Sequence, residues 1–240
     1  MKAKFALALT CATACLVAGA ASAHAVQMPG LPGAQASDVM LNGKDATNLG
    51  IAKKRIQTLT ATTSNDGPVD DIWLCDLSGD SEVDTPGTRS LVKSVARSQA
   101  ESPLDLAVHE FHIFPSAKAA KQAYRTIVTK ARTCTGTHTP AADVDMSDMP
   151  GSINKSTTLT SGVKKAPDGD QFVWIESRTT TPDAATNYAE NSYRTLRQVG
   201  SMIQVLYIEN EGEGVAPLSK PVRNAADRLT DGLGDRVLNR

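Results

Sequence analysis

His109-Glu110-Phe111-His112 puts two imidazoles and a carboxylate inside four residues, and these are donors that a zinc ion takes. The helical zinc motif needs its histidines four apart, on one helix face. Here they are three apart in a segment that reads as a strand, where successive side chains alternate sides. The two rings then point to opposite faces, and one ion cannot readily take both. His138, in a loop, brings no further ligand into register. Asp143, Asp145 and Asp148 offer oxygen ligands for calcium, but the twelve-residue loop with its glycine and closing glutamate is missing, so a solvated acidic loop is expected. Gly212-Glu213-Gly214 lacks the third glycine and the helix start whose amides cradle a phosphate and reads as a turn. There is no G-x-S-x-G elbow for a serine nucleophile, and no pair of carboxylates stands out. Glu176 and Arg178 on one strand, with Arg194 and Arg197 on the next, sketch a charged cleft, although exposed strand faces often look like this. These residues predict no catalytic group, no metal and no cofactor, and spacing alone singles out no ligand-binding residue.

The cysteines say more about where the chain works than about what it does. Lys2 and Lys4 precede an apolar run from Phe5 to Ala21, which ends in Ala23-His24-Ala25; this is the pattern of a signal peptide cleaved after Ala25. Cleavage after Ala21-Ser22-Ala23 is the alternative. Thr10, Thr13 and Gly19 interrupt the run, and Pro29 and Pro32 follow it closely, so it reads poorly as a membrane-spanning helix. Cys15 follows the small residues Ala12-Thr13-Ala14, as a lipid-attachment cysteine does. The usual leucine three places upstream is absent, and the apolar run continues past Cys15, so lipidation and membrane tethering are disfavoured. Cleavage removes Cys11 and Cys15, leaving Cys75 and Cys134 as the one available disulfide, which fits an oxidising, extracytoplasmic compartment. An oxidised pair is also inert as a nucleophile.

Loss of Lys2 and Lys4, with no acid, moves the formal charge from minus one to minus three. Lysine, arginine and acid are interspersed along the chain, so the clustered basic face that binds nucleic acid is missing. About 215 mature residues suffice for one domain with a real core. With two Trp and four Phe in the whole chain, that core must rest on Val, Ile, Leu and Ala.

Residues 26–37 carry Pro-Gly-type breaks and read as a flexible lead, so that a single domain occupies 38–240. Asp38–Asn42 suggests a short helical entry; Ile51–Thr62 has no clean period. Asp71–Cys75 reads as a short strand, 77–89 as a loop, and Ser90–Ser98 as a strand. Leu106–Phe114 alternates as a strand should, and Pro115 stops it. Ser116 then caps a helix whose apolar positions Ala117, Ala120, Tyr124, Ile127, Val128 and Ala131 recur at three-and-four spacing, ending near Cys134. Residues 135–170 read as loops with a weak strand at 156–163. Further strands cover 171–179, 192–199 and 202–209, the last two joined at Gly200-Ser201, where a leading glycine favours a tight hairpin. A final helix from Ser219 to about Asn239 has Pro221 in its first turn and Gly232 and Gly234 weakening its end. The predicted class is α+β, a mainly antiparallel sheet covered by two principal helices and stapled by one disulfide.

With those elements in order, the chain resembles the PknH-like extracellular sensor domains of actinobacteria, named for a receptor Ser/Thr kinase and found also in secreted proteins and lipoproteins. The resemblance spans most of 38–232. It rests on Cys75 at the end of a short first strand, on V-H-E-F-H-I-F-P-S-A-K-A-A leading to Cys134, and on the late hairpin before the last helix. It implies a secreted, non-catalytic sensor-like module that binds a small molecule or a cell-envelope component in a cleft between sheet and helices. It also implies that a second cystine, typical of the family, has lost both members, at positions near Ser192 and Glu209. The alternatives from other classes are an extracellular hydrolase and an envelope interaction module docking through the hairpin edge.

Overall fold

The computed structural model describes residues 28, 31, 33–52, 54–62, 72–73, 82–83, 90–98, 103–138, 156–165, 171–180 and 188–240. Eight strands form one antiparallel sheet: β1 (Arg55–Thr62), β4 (Ser90–Arg97), β5 (Leu106–Ile113), β10 (Met202–Glu213), β9 (Tyr188–Val199), β8 (Gln171–Thr180), β7 (Ser156–Lys165) and β6 (Gly136–His138), in that spatial order. β2 (Ile72–Trp73) and β3 (Glu82–Val83) make a separate two-stranded ladder. Four helices complete the fold: α1 (Ala36–Val39), α2 (Gly43–Asn48), α3 (Ala117–Ala131) and α4 (Lys220–Leu238). The class is therefore α+β, with α3 and α4 as the two long helices.

The two-residue side-chain period of each strand divides the sheet into two packed faces. On one face Leu159, Val173, Ile175, Leu196, Ile203 and Val205 meet the apolar stripe of α3. Tyr124 of that stripe donates its hydroxyl to the Leu196 carbonyl (2.7 Å) and accepts from the Val173 amide (3.2 Å), so its polar tip is satisfied where its ring is buried. Ser116 caps α3 by accepting from Ala119 N at 3.2 Å, the role its residue type predicts. On the opposite face Ala96, Ala107, Tyr193, Leu206 and Ile208 meet α4 and the loop after α2, while Val92, Phe111, Ile113, Val199 and Met202 meet α1 and Val237. Each fully buried Leu, Ile or Phe contributes roughly 1.5–3 kcal/mol.

Several expectations need correction. The lead is not uniformly unpacked: Met28 is 3 % exposed and Ala34 and Ala36 are buried with Val92 and Phe111, because small apolar residues between the turns fit under the edge of the sheet. Ile51–Thr62, without a clean period, yields β1, paired along its whole length with β4. Strand β3 lies in the expected 77–89 loop, and β6, holding His138, lies in the expected 135–155 loop. Gly212 and Glu213 extend β10 and only Gly214 turns, with φ 65°. The last helix, by contrast, has the expected extent: α4 runs to Leu238 through both glycines. A Cβ on Gly234 would lie 2.9 Å from Arg197 Nη1 and 3.2 Å from Gln204 Oε1, whereas Gly232 faces open space. Gly234 is therefore a close-approach residue that lets α4 sit on two buried polar side chains of the sheet. Gly200 takes φ 57° in the two-residue turn, as the hairpin requires.

Candidate functional site

His109 and His112 leave β5 on opposite faces, as their spacing predicts. His109 is fully buried on the α4 face, where Nδ1 accepts from the Leu41 amide at 3.2 Å; burial lowers its pKa to about 3. His112 lies on the other face, 3.5 Å from Glu110 Oε2. Lys93 pairs with Glu110 at 2.8 Å. Burial alone would raise the Glu110 pKa, but the nearby His112 ring and the Lys93 ammonium outweigh it and hold the carboxyl at about 2. Asp143, Asp145, Asp148, Cys11, Cys15, Ala25 and Cys75 lie outside the described residues. Cys134 is 1 % exposed, and its carbonyl accepts from Ser161 Oγ at 2.8 Å.

The structure scatters the four charged residues that sketched a cleft. Arg197 is 1 % exposed under α4, near Asp231 (3.6 Å) and Asp235 (3.9 Å). Arg194 projects to the α3 side, over the Tyr207 ring at 5.0 Å. Arg178 donates to Asn191 at 3.0 Å. Of the four, Glu176 lines a recess, where its partner is Arg223 of α4.

That recess has a volume of about 370 Å³ and lies between β7–β9 and the first half of α4. Trp174 forms part of its lining. The indole lies across the backbone of Gly162 on β7, where a Cβ would approach its Nε1, Cε2 and Cζ2 to 2.8–3.0 Å; only glycine leaves that space. Tyr193 stacks beside it, with centroids 6.4 Å apart and planes at 26°. Lys164 Nζ sits 5.0 Å from the Phe172 ring centre and 5.8 Å from those of Trp174 and Tyr193, within cation–π range. The same ammonium donates to Asp227 Oδ2 (2.5 Å) and to the Tyr193 hydroxyl (3.1 Å), which in turn donates to Asp227 Oδ1 (2.7 Å). Burial and the bond to Asp227 push the Tyr193 phenol up, so it stays a neutral donor at any physiological pH.

One wall is thus the Lys164–Asp227–Tyr193 ring and the other the Glu176–Arg223 pair, with Lys220 and Asn224 on the helix side. The ring and the pair are internally satisfied and so held in position, an arrangement suited to holding polar groups over an aromatic surface. The alternation of Phe172, Trp174 and Glu176 along β8 already put three of them on one face. Lys164, Tyr193, Arg223 and Asp227 were not legible, because nothing local shows that β7, β9 and α4 converge there; the four-residue spacing of Arg223 and Asp227 was the only available sign. Two other recesses are less furnished: about 410 Å³ beside Asn48, Leu49 and Arg228, and about 550 Å³ beside Lys121, Tyr124 and Gln198. Among the described residues no helix is long and apolar enough to cross a membrane.

No family model matches the chain, and no curated protein matches it. Among solved structures it is similar to the crystal structure of the extracellular domain of PknH from Mycobacterium tuberculosis. The TM-score is 0.55 and the identity 16 %, over 85 % of this chain and 95 % of that one. At this identity the likeness establishes a shared fold.

Proposed function

We propose that the protein is an exported, sensor-like binding module that captures a small molecule or cell-envelope component, without catalysis, in the recess under the first half of α4. The observation that carries this reading is the Trp174 surface cradled on Gly162 between two closed ion pairs. An aromatic surface on which polar side chains converge is a feature of small-ligand sites. The Lys164–Asp227 and Glu176–Arg223 pairings favour holding over turnover, since a general acid or base must exchange a proton with substrate. Export is supported by the apolar leader ending at Ala25 and by the likeness to an extracellular domain. A Cys75–Cys134 bridge belongs to the same reading and is supported by burial of Cys134 at the end of α3.

Native mass spectrometry of the protein purified after export tests this. A processed chain beginning at Val26, two hydrogens lighter than its reduced form and carrying a small retained mass, is the expected result. A bare chain that also takes up nothing from a cell-envelope extract removes the binding reading. Turnover of generic ester or glycoside substrates would move the protein to the hydrolases.

A further inference from the structure

We infer that the guest of this recess is an acidic saccharide unit, a sugar ring bearing a carboxylate or comparable anion; this rests on the recess being the binding site. Three features converge on that chemistry. The Trp174 surface is held flat against a glycine backbone and braced by Tyr193, so it is a rigid apolar platform at the scale of one pyranose. The recess is shallow and small, about 370 Å³, and its aromatic surface is bordered on both sides by paired charges, whereas a purely apolar ligand needs a continuous apolar lining. A sugar ring presents an apolar C–H face to such a platform, while its rim hydroxyls meet the carboxylates of Glu176 and Asp227 and the amide of Asn224. The charge balance then selects an anion. Lys164 and Arg223 are matched by Asp227 and Glu176, whereas Lys220, also lining the recess, pairs with no carboxylate among the described residues. Its ammonium is the surplus positive charge at the helix side of the site.

The test uses the full chain produced by export, with Trp73→Phe so that Trp174 is the only indole. Tri-galacturonate is titrated against indole fluorescence, beside its methyl ester, which keeps the rings and loses the charge. The acid is expected to shift Trp174 emission saturably, and the ester to bind at least tenfold more weakly. Lys220→Ala, at an exposed position, is expected to weaken the acid about tenfold with an unchanged melting temperature. Gly162→Ala, which displaces the indole, is expected to abolish the shift. Equal binding of acid and ester overturns the anionic requirement. Emission that ignores both sugars yet responds to phenylacetate overturns the saccharide class while leaving the recess as a binding site. A ligand retained through purification whose hydrogen-exchange protection maps away from Trp174 and α4 overturns the inference together with the site.

Discussion

Ser192 and Glu209 are direct partners across the β9–β10 hairpin. Counting back from Val199–Met202, the pair that closes the two-residue turn, they fall on a non-hydrogen-bonded pair, the type whose Cα atoms approach to about 4.5 Å. That separation lies inside the range a disulfide spans. The place where the family resemblance puts a lost cystine is therefore a place where the backbone still accommodates one. Ser192→Cys with Glu209→Cys should cross-link on oxidising export and raise stability by up to about 3 kcal/mol for so short a loop. The loss of the Ser177–Ser192 hydroxyl contact at 2.7 Å opposes part of that gain. Mass spectrometry for the loss of two hydrogens, and melting with and without reductant, check it.

The two glycines of α4 should respond to alanine with opposite signs. Gly232→Ala meets no atom within 4 Å and gains helix propensity, so it should stabilise by about 0.5–1 kcal/mol. Gly234→Ala places a methyl 2.9 Å from the guanidinium of buried Arg197. Overpacking there should cost about 1–3 kcal/mol, more than the propensity gain. Urea unfolding of both variants reads the difference; a stabilised Gly234→Ala would mean that Arg197 can move aside.

His109 makes the fold acid-sensitive. Its folded pKa of about 3 lies below the ordinary 6.5, so below pH 6.5 the unfolded chain binds a proton that the folded chain refuses. Stability accordingly falls as pH drops from about 6.5 toward 3, by roughly 2 kcal/mol between pH 7 and 5. Glu110, held at about 2 against an ordinary 4.5, adds a second loss in the window from 4.5 to 2. Urea midpoints at pH 7, 5 and 4 for wild type and His109→Gln separate the two: the substitution should flatten the pH 7–5 segment and keep the steep part below it.

The Cys75–Cys134 bridge would close a loop of about 60 residues, for which chain entropy gives about 4 kcal/mol. Reductant should lower the melting temperature by about 10 °C, and Cys75→Ala with Cys134→Ala should melt at the reduced value in either buffer. A melt indifferent to reductant would show that no such bridge contributes.

Legibility of the fold followed how local its causes are. Ser116 and the three-and-four spacing behind it define α3 without reference to the rest of the chain, and strict alternation in 106–114 and 171–179 defines β5 and β8. β1 was obscured because 55–62 derives its order from an eight-residue ladder with β4, a non-local cause. The extent of α4 was legible from its apolar stripe, but the role of Gly234, whose missing side chain serves contact with Arg197 and Gln204, was not. The recess was the least visible feature: Lys164, Trp174, Tyr193 and Asp227 lie on three strands and a helix, and only the strand order brings them together.

Arg240 pairs with Asp38 at 3.3 Å, and Arg236 clasps Asp45 through two bonds of 2.8 and 2.7 Å. The first packed residues and the last ones are therefore buckled to the same end of α4, whereas Lys220–Asp227 frame the recess at its other end, about 15–20 Å away along the axis. Fraying of α4 from its last turn must therefore break the ties to Asp38 and Asp45 before it reaches the residues that line the recess.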